Sequence, residues 1–118
     1  MRRMLTVTGI VLKGERRGIK IGFPTANIEF HDPAFAGIYA GRATLSGVTY
    51  GAAVYIDPAR ELLEAHLLNF QGDLYDKELT IEVIAKIRDS ATFSSDTELQ
   101  AAIAGDIVAV REYLASIH

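Results

Sequence analysis

The chain has 118 residues, a net charge of −3, 49% hydrophobic and 23% charged side chains, a length and balance that predict one globular domain over 1–118. The absence of cysteine excludes disulfide scaffolds, thiolate-bound zinc, iron–sulfur clusters and thiol catalysis. No apolar run approaches the roughly 18–20 residues that span a bilayer as a helix, so no membrane association is expected.

The charge is unevenly placed. Residues 1–30 hold six basic side chains against two acidic ones, a net +4 that leaves −7 for the remainder. A basic patch on an acidic domain suits a small phosphate-bearing ligand better than a nucleic acid, which wants a broadly basic face. A single-strand-binding barrel would also want more stacking surface than 8% aromatics without tryptophan supply.

At the N-terminus, Arg2 and Arg3 precede a short apolar stretch and imitate a secretory signal. Thr6 and Thr8 interrupt the stretch, Lys13-Gly14-Glu15-Arg16-Arg17 follows it, and no small-residue cleavage site appears. The alternation of Leu5, Val7 and Val11 predicts a strand instead, and the expectation is an unexported, cytoplasmic protein.

Taken in chain order, strands are predicted over about 4–12, 37–45, 48–56, 61–70 and 78–88. The last has the cleanest period: Leu79, Ile81, Val83, Ala85 and Ile87 fall on one face. Ser46-Gly47 reads as a tight hairpin, and Gln71-Gly72-Asp73 as a second turn. Ser95-Asp96-Thr97-Glu98 has the pattern of a capping box. Leu99, Ile103, Ile107, Val110 and Leu114 follow at helical spacing, predicting a helix over about 95–116 with one apolar stripe to bury. Short strands followed by one helix predict a mainly β fold, a small closed or nearly closed antiparallel barrel with a C-terminal helix.

Gly14, Gly18 and Gly22 recur every fourth residue among Lys13, Arg16, Arg17 and Lys20. Glycines let backbone N–H groups approach an anion, and the basic side chains neutralise it. The same composition also suits a plain basic surface loop.

The residues that follow are Gly22-Phe23-Pro24-Thr25-Ala26-Asn27. This hexapeptide resembles the signature of the riboflavin kinase (flavokinase) family, which also forms the C-terminal half of bacterial bifunctional FAD synthetases. A second block, Glu64-Ala65-His66-Leu67-Leu68-Asn69-Phe70-Gln71-Gly72-Asp73-Leu74-Tyr75, and a third, Ile87-Arg88 with Phe93, Leu99 and Gly105-Asp106, resemble that family in the same order. The resemblance implies a six-stranded Greek-key barrel and transfer of the ATP γ-phosphoryl group to the 5′-hydroxyl of riboflavin, giving FMN and ADP. It implies Glu64 as the catalytic base, and Gly14, Gly18, Lys20, Gly22, Thr25 and Asn27 around the nucleotide phosphates. Thr25 and Asn27 would also ligate Mg²⁺ or another divalent cation, and Arg88 and Phe93 would meet the flavin. His66 reads as a packed strand residue.

Several positions depart from the family pattern. Gly51–Arg60 is shortened and lacks the usual Asn and Thr; Ile19 stands for Arg, Asn69 for Asp and Asp76 for Gly; Ser90 and Ala91 replace a Glu and a basic residue. These changes leave open an alternative, a flavin- or nucleotide-binding barrel with little or no catalysis. At this length no room is expected for an adenylyltransferase half, so riboflavin, FMN, ATP and ADP are the expected partners, with no obligate protein partner.

Overall fold

The structure, a computed structural model, describes residues 4–12 and 22–117. Six antiparallel strands form one sheet: β1 (Leu5–Ile10), β2 (Ala26–Glu29), β3 (Gly37–Leu45), β4 (Val48–Asp57), β5 (Leu62–Leu67) and β6 (Glu78–Arg88). Their order is β1-β6-β3-β4-β5-β2. The two edge strands come together where the sheet curls: Leu12 bridges to Asn27, and Leu12 N–H donates to the Asn27 carbonyl at 2.7 Å. A Cβ at Gly9 would stand 2.5 Å from Ile28 Cγ2, so the closure needs glycine on β1. The result is a nearly closed barrel.

The alternation read from the sequence fills the barrel. Leu79, Ile81 and Val83 of β6 are fully buried together with Val54, Ile56, Leu63 and Ile28. The predicted hairpin at Ser46-Gly47 has positive φ at both residues, 50° and 83°, as a type I′ turn demands. Two predicted features need correction. The strand expected over 61–70 stops at Leu67, because Asn69 takes a left-handed φ of 59°, a conformation Asn tolerates better than most side chains. β2 was absent from the five periodic segments; with four residues, buried on both faces through Asn27, it carries no readable alternation.

Helix α1 (Asp96–Ser116) starts as predicted. Ser95 caps it, its Oγ accepting from Glu98 N–H at 3.1 Å, while the Glu98 carboxylate turns back to the hydroxyl of Ser94 at 2.9 Å. Only the second half of its stripe is core. Val110 and Leu114 pack with Ala40, Ala53, Leu68 and Ile84 on the outer face of the barrel. The small residues matter there: a Cβ at Gly51 would lie 2.8 Å from Leu114 Cδ1. Leu99 and Ile103, expected in the core, instead line a cleft between the helix and the sheet. Among the described residues no helix is long and apolar enough to cross a membrane.

Candidate active site

Directly opposed residues of an antiparallel pair point to the same face of a sheet. Asn27 opposes Glu64, Glu64 opposes Tyr55, Tyr55 opposes Ile38, and Ile38 opposes Arg88. These five residues therefore form one row across the outer face of β2, β5, β4, β3 and β6. At about 4.8 Å per strand the row is roughly 19 Å long, with Glu64 one strand from Asn27 and three from Arg88. Residues expected from three separate stretches of sequence thus share one line, and register supplies the order.

A cleft of about 650 Å³ opens along this row. Thr25, Glu64 and His66 line one part of it; Arg88, Phe93, Leu99 and Ile103 line another. A second cleft of about 450 Å³ lies between Pro24-Thr25-Ala26 and the 70–75 turn, with Val11, Ala65 and Tyr75 in its walls. Thr25 and His66 line both clefts, so the two meet there.

The expected site residues that the structure describes can be placed against this geometry. Glu64 is about one-fifth exposed, with Arg60 Nη1 at 3.8 Å from its Oε2. Thr25, half-buried, stands at the junction of the clefts. Asn27 is 3% exposed and its buried Oδ1 has no hydrogen-bond partner among the described residues. Such an oxygen costs about 1–3 kcal/mol when left unsatisfied. Gly22 has a left-handed φ of 93° and lines neither cleft, standing across from Gln100 of α1. Gly14, Gly18 and Lys20 lie outside the described residues.

Arg88 is committed largely to the protein. Its Nε and Nη2 donate to both oxygens of Asp106 at 2.7 and 2.8 Å, and Nη1 to the Asp89 carbonyl at 3.1 Å. The Asp106 hydrogen bonds raise the guanidinium's pKa further, burial opposing them. The ring of Phe93 lies 5.7 Å from the guanidinium carbon, within cation–π range. Arg88 thereby ties the end of β6 to α1 and backs the 90–93 wall of the cleft.

Three further residues contribute to the site. Asp106 is buried, and its signal was available: it lies three residues after Ile103 and four before Val110, a charge on the apolar stripe. Tyr55 lines the cleft with a buried hydroxyl that has no partner among the described residues; burial first, then the charge of Asp106, pushes its pKa up and keeps the phenol neutral. His66 is a half-buried strand residue as expected, and it also lines both clefts. Its Nδ1–H donates to the Pro24 carbonyl at 2.8 Å, and its ring meets the edge of Phe23 with centroids 5.9 Å apart. Two departures from the expected pattern have a conformational reading. Asn69 and Asp76 both take left-handed φ, 59° and 66°, so the backbone turns there without glycine. Among the described residues no group of three or more His, Asp and Glu is placed to hold a metal.

Comparison with known proteins identifies relatives of the chain. A sequence model described as Flavokinase, riboflavin kinase, matches residues 1–114. The chain is 35% identical, over 91% of its length, to a bifunctional riboflavin kinase/FMN adenylyltransferase of Escherichia coli, of which it covers 37%. It is similar in structure to a riboflavin kinase from Trypanosoma brucei, with a TM-score of 0.73 and 26% identity over 98% of this chain and 82% of that one. It is also similar, with a TM-score of 0.79 and 25% identity, to a Streptococcus pneumoniae protein named as a macrolide-efflux protein, over 91% of this chain and 38% of that one. The chain spans about two fifths of the curated relatives it matches.

Proposed function

The chain belongs to the riboflavin kinase family, and from that premise we propose that residues 1–118 act as one kinase domain, moving the ATP γ-phosphoryl group to the 5′-hydroxyl of riboflavin. The observation that carries the reading is the pair of clefts meeting at Thr25 and His66, beside Glu64. A two-substrate transfer needs separate seats for donor and acceptor whose reacting ends touch.

The larger cleft suits the acceptor. An elongated ligand with a flat ring at the Arg88–Phe93 end would bring a flexible polyol chain back along the row to Glu64. The second cleft, by Val11 and Tyr75, is left for the nucleotide. Glu64 accepts the proton of the 5′-hydroxyl as that oxygen bonds to the γ-phosphorus. The bond from the γ-phosphorus to the bridging β–γ oxygen breaks, and ADP leaves with that electron pair. Little covalent work remains for the protein beyond alignment and exclusion of water.

Asn27 Oδ1 and the Thr25 hydroxyl are the oxygens that would hold a divalent cation. The fit rests on the buried Asn27 amide oxygen, which has no partner among the described residues, a hard neutral donor of the kind that Mg²⁺ takes together with water and phosphate oxygens. Mg²⁺ there would neutralise the phosphates. Gly14, Gly18, Lys20 and Gly22 belong to the same reading as the basic, glycine-rich cover of the phosphates, and ATP as donor goes with a cytoplasmic location. Intact Glu64, Thr25 and Asn27 favour catalysis over a mere binding barrel.

Glu64→Gln tests the reading, since it preserves size while removing the proton acceptor. General-base catalysis is worth about 10²–10⁴ in rate, so kcat for FMN formation should fall within that range while substrate affinities hold. A Gln variant with wild-type kcat, measured where chemistry limits turnover, would reject the role.

A further inference from the structure

We propose that His66 is a positioning residue that sets Thr25 at the meeting point of the two clefts through a hydrogen bond to the Pro24 carbonyl; the inference rests on the phosphoryl-transfer reading given above.

The strand ladder cannot place Thr25. β2 begins at Ala26, whose partner on β5 is Ala65. Two residues earlier, Pro24 has no N–H to offer the ladder. Thr25 therefore lies beyond the last regular pair, at the point where two substrates would meet. His66, one residue beyond Ala65 on β5, takes over. Its Nδ1 is 2.8 Å from the Pro24 oxygen. A carbonyl can only accept, so the proton sits on Nδ1 and the tautomer of the neutral ring is fixed. The Pro24–Thr25 peptide is planar, and holding its oxygen fixes the N and Cα of Thr25 with it. The edge of Phe23 against the ring, at an interplanar angle of 82°, limits its rotation. His66 thus holds with a side chain a carbonyl that lies beyond the last regular pair of the ladder.

The two amide isosteres of histidine separate this role from others. Asn places its NH₂ where Nδ1 stands and keeps the bond to Pro24; Gln places its NH₂ where Nε2 stands and loses it. For His66→Gln and His66→Ala, binding of Mg-ADP measured by calorimetry should weaken about tenfold, the equivalent of one hydrogen bond. His66→Asn should stay within about twofold of wild type, as rescue by the remaining donor requires. In turnover, KM for ATP should rise more than kcat falls. The proposal is overturned if Asn is as impaired as Ala, if Gln outperforms Asn, or if all three match wild type. Should Ala not fold, the Asn and Gln pair decides alone. A wild-type protein that makes no FMN, yet whose variants bind Mg-ADP in the stated order, would overturn the kinase reading and leave this inference standing.

Discussion

Replacing Asp106 by Asn leaves the shape of the helix face unchanged and removes the charge that Arg88 grips with two hydrogen bonds. Breaking a buried ion pair from one side costs about 3–5 kcal/mol, most of it the stranded charge. Here the Asp106 side chain is 5% exposed but that of Arg88 is 29% exposed, so water relieves part of the loss and about 2–3 kcal/mol is the expected figure. Unfolding entropy of about 2.1 cal/mol/K per residue gives about 0.25 kcal/mol/K for a chain this long, so the melting temperature should fall by about 8–12 °C. Circular dichroism melts read the shift directly. Hydrogen exchange should show faster opening of residues 89–95, since Arg88 also holds the Asp89 carbonyl. The double variant Arg88→Met/Asp106→Leu should melt above Asp106→Asn, because it strands no charge. An Asn variant melting within about 2 °C of wild type, on the same entropy scale, would refute the claim that this pair ties β6 to the helix.

Other perturbations separate core from cleft. Leu114→Ala should cost about 2–4 kcal/mol in urea unfolding, whereas Leu99→Ala and Ile103→Ala should cost less and weaken flavin binding instead. Tyr55→Phe removes a buried hydroxyl that has no partner among the described residues, so chemical denaturation of the ligand-free protein should show equal or higher stability, by up to about 1 kcal/mol. His31 bridges Glu29 and Glu61 through its two ring nitrogens, and those hydrogen bonds raise its pKa above the usual 6.5. A folded-state pKa raised in this way adds stability that is fully present below pH 6.5 and lost as pH climbs through the raised value. The melting-temperature advantage of wild type over His31→Gln should accordingly be present in mild acid and vanish in mild alkali.

The sequence carried the fold further than it carried the site. Alternation in Leu79, Ile81 and Val83, and the capping box at Ser95, are local signals, and each produced the element expected. β2 is too short for period to show, and its middle residue is a buried polar one. That Asn27 stands beside Glu64, with Tyr55 next in line, depends on strand register between distant segments, which no local pattern contains. The hydrogen bond from His66 could not be read, because its partner is a backbone carbonyl and carbonyls are invisible in sequence. Leu99 and Ile103 share the periodicity of Val110 and Leu114; period reports that a face is apolar, not whether a neighbouring element or a cleft meets it.

The central claim is best tested by incubating the protein with riboflavin, Mg²⁺ and ATP labelled at the γ-phosphate, then separating flavins and nucleotides by chromatography. The account predicts label transferred into FMN with one ADP formed per FMN. Riboflavin recovered unchanged, or ATP cleaved with the label released as inorganic phosphate and none in FMN, would contradict it.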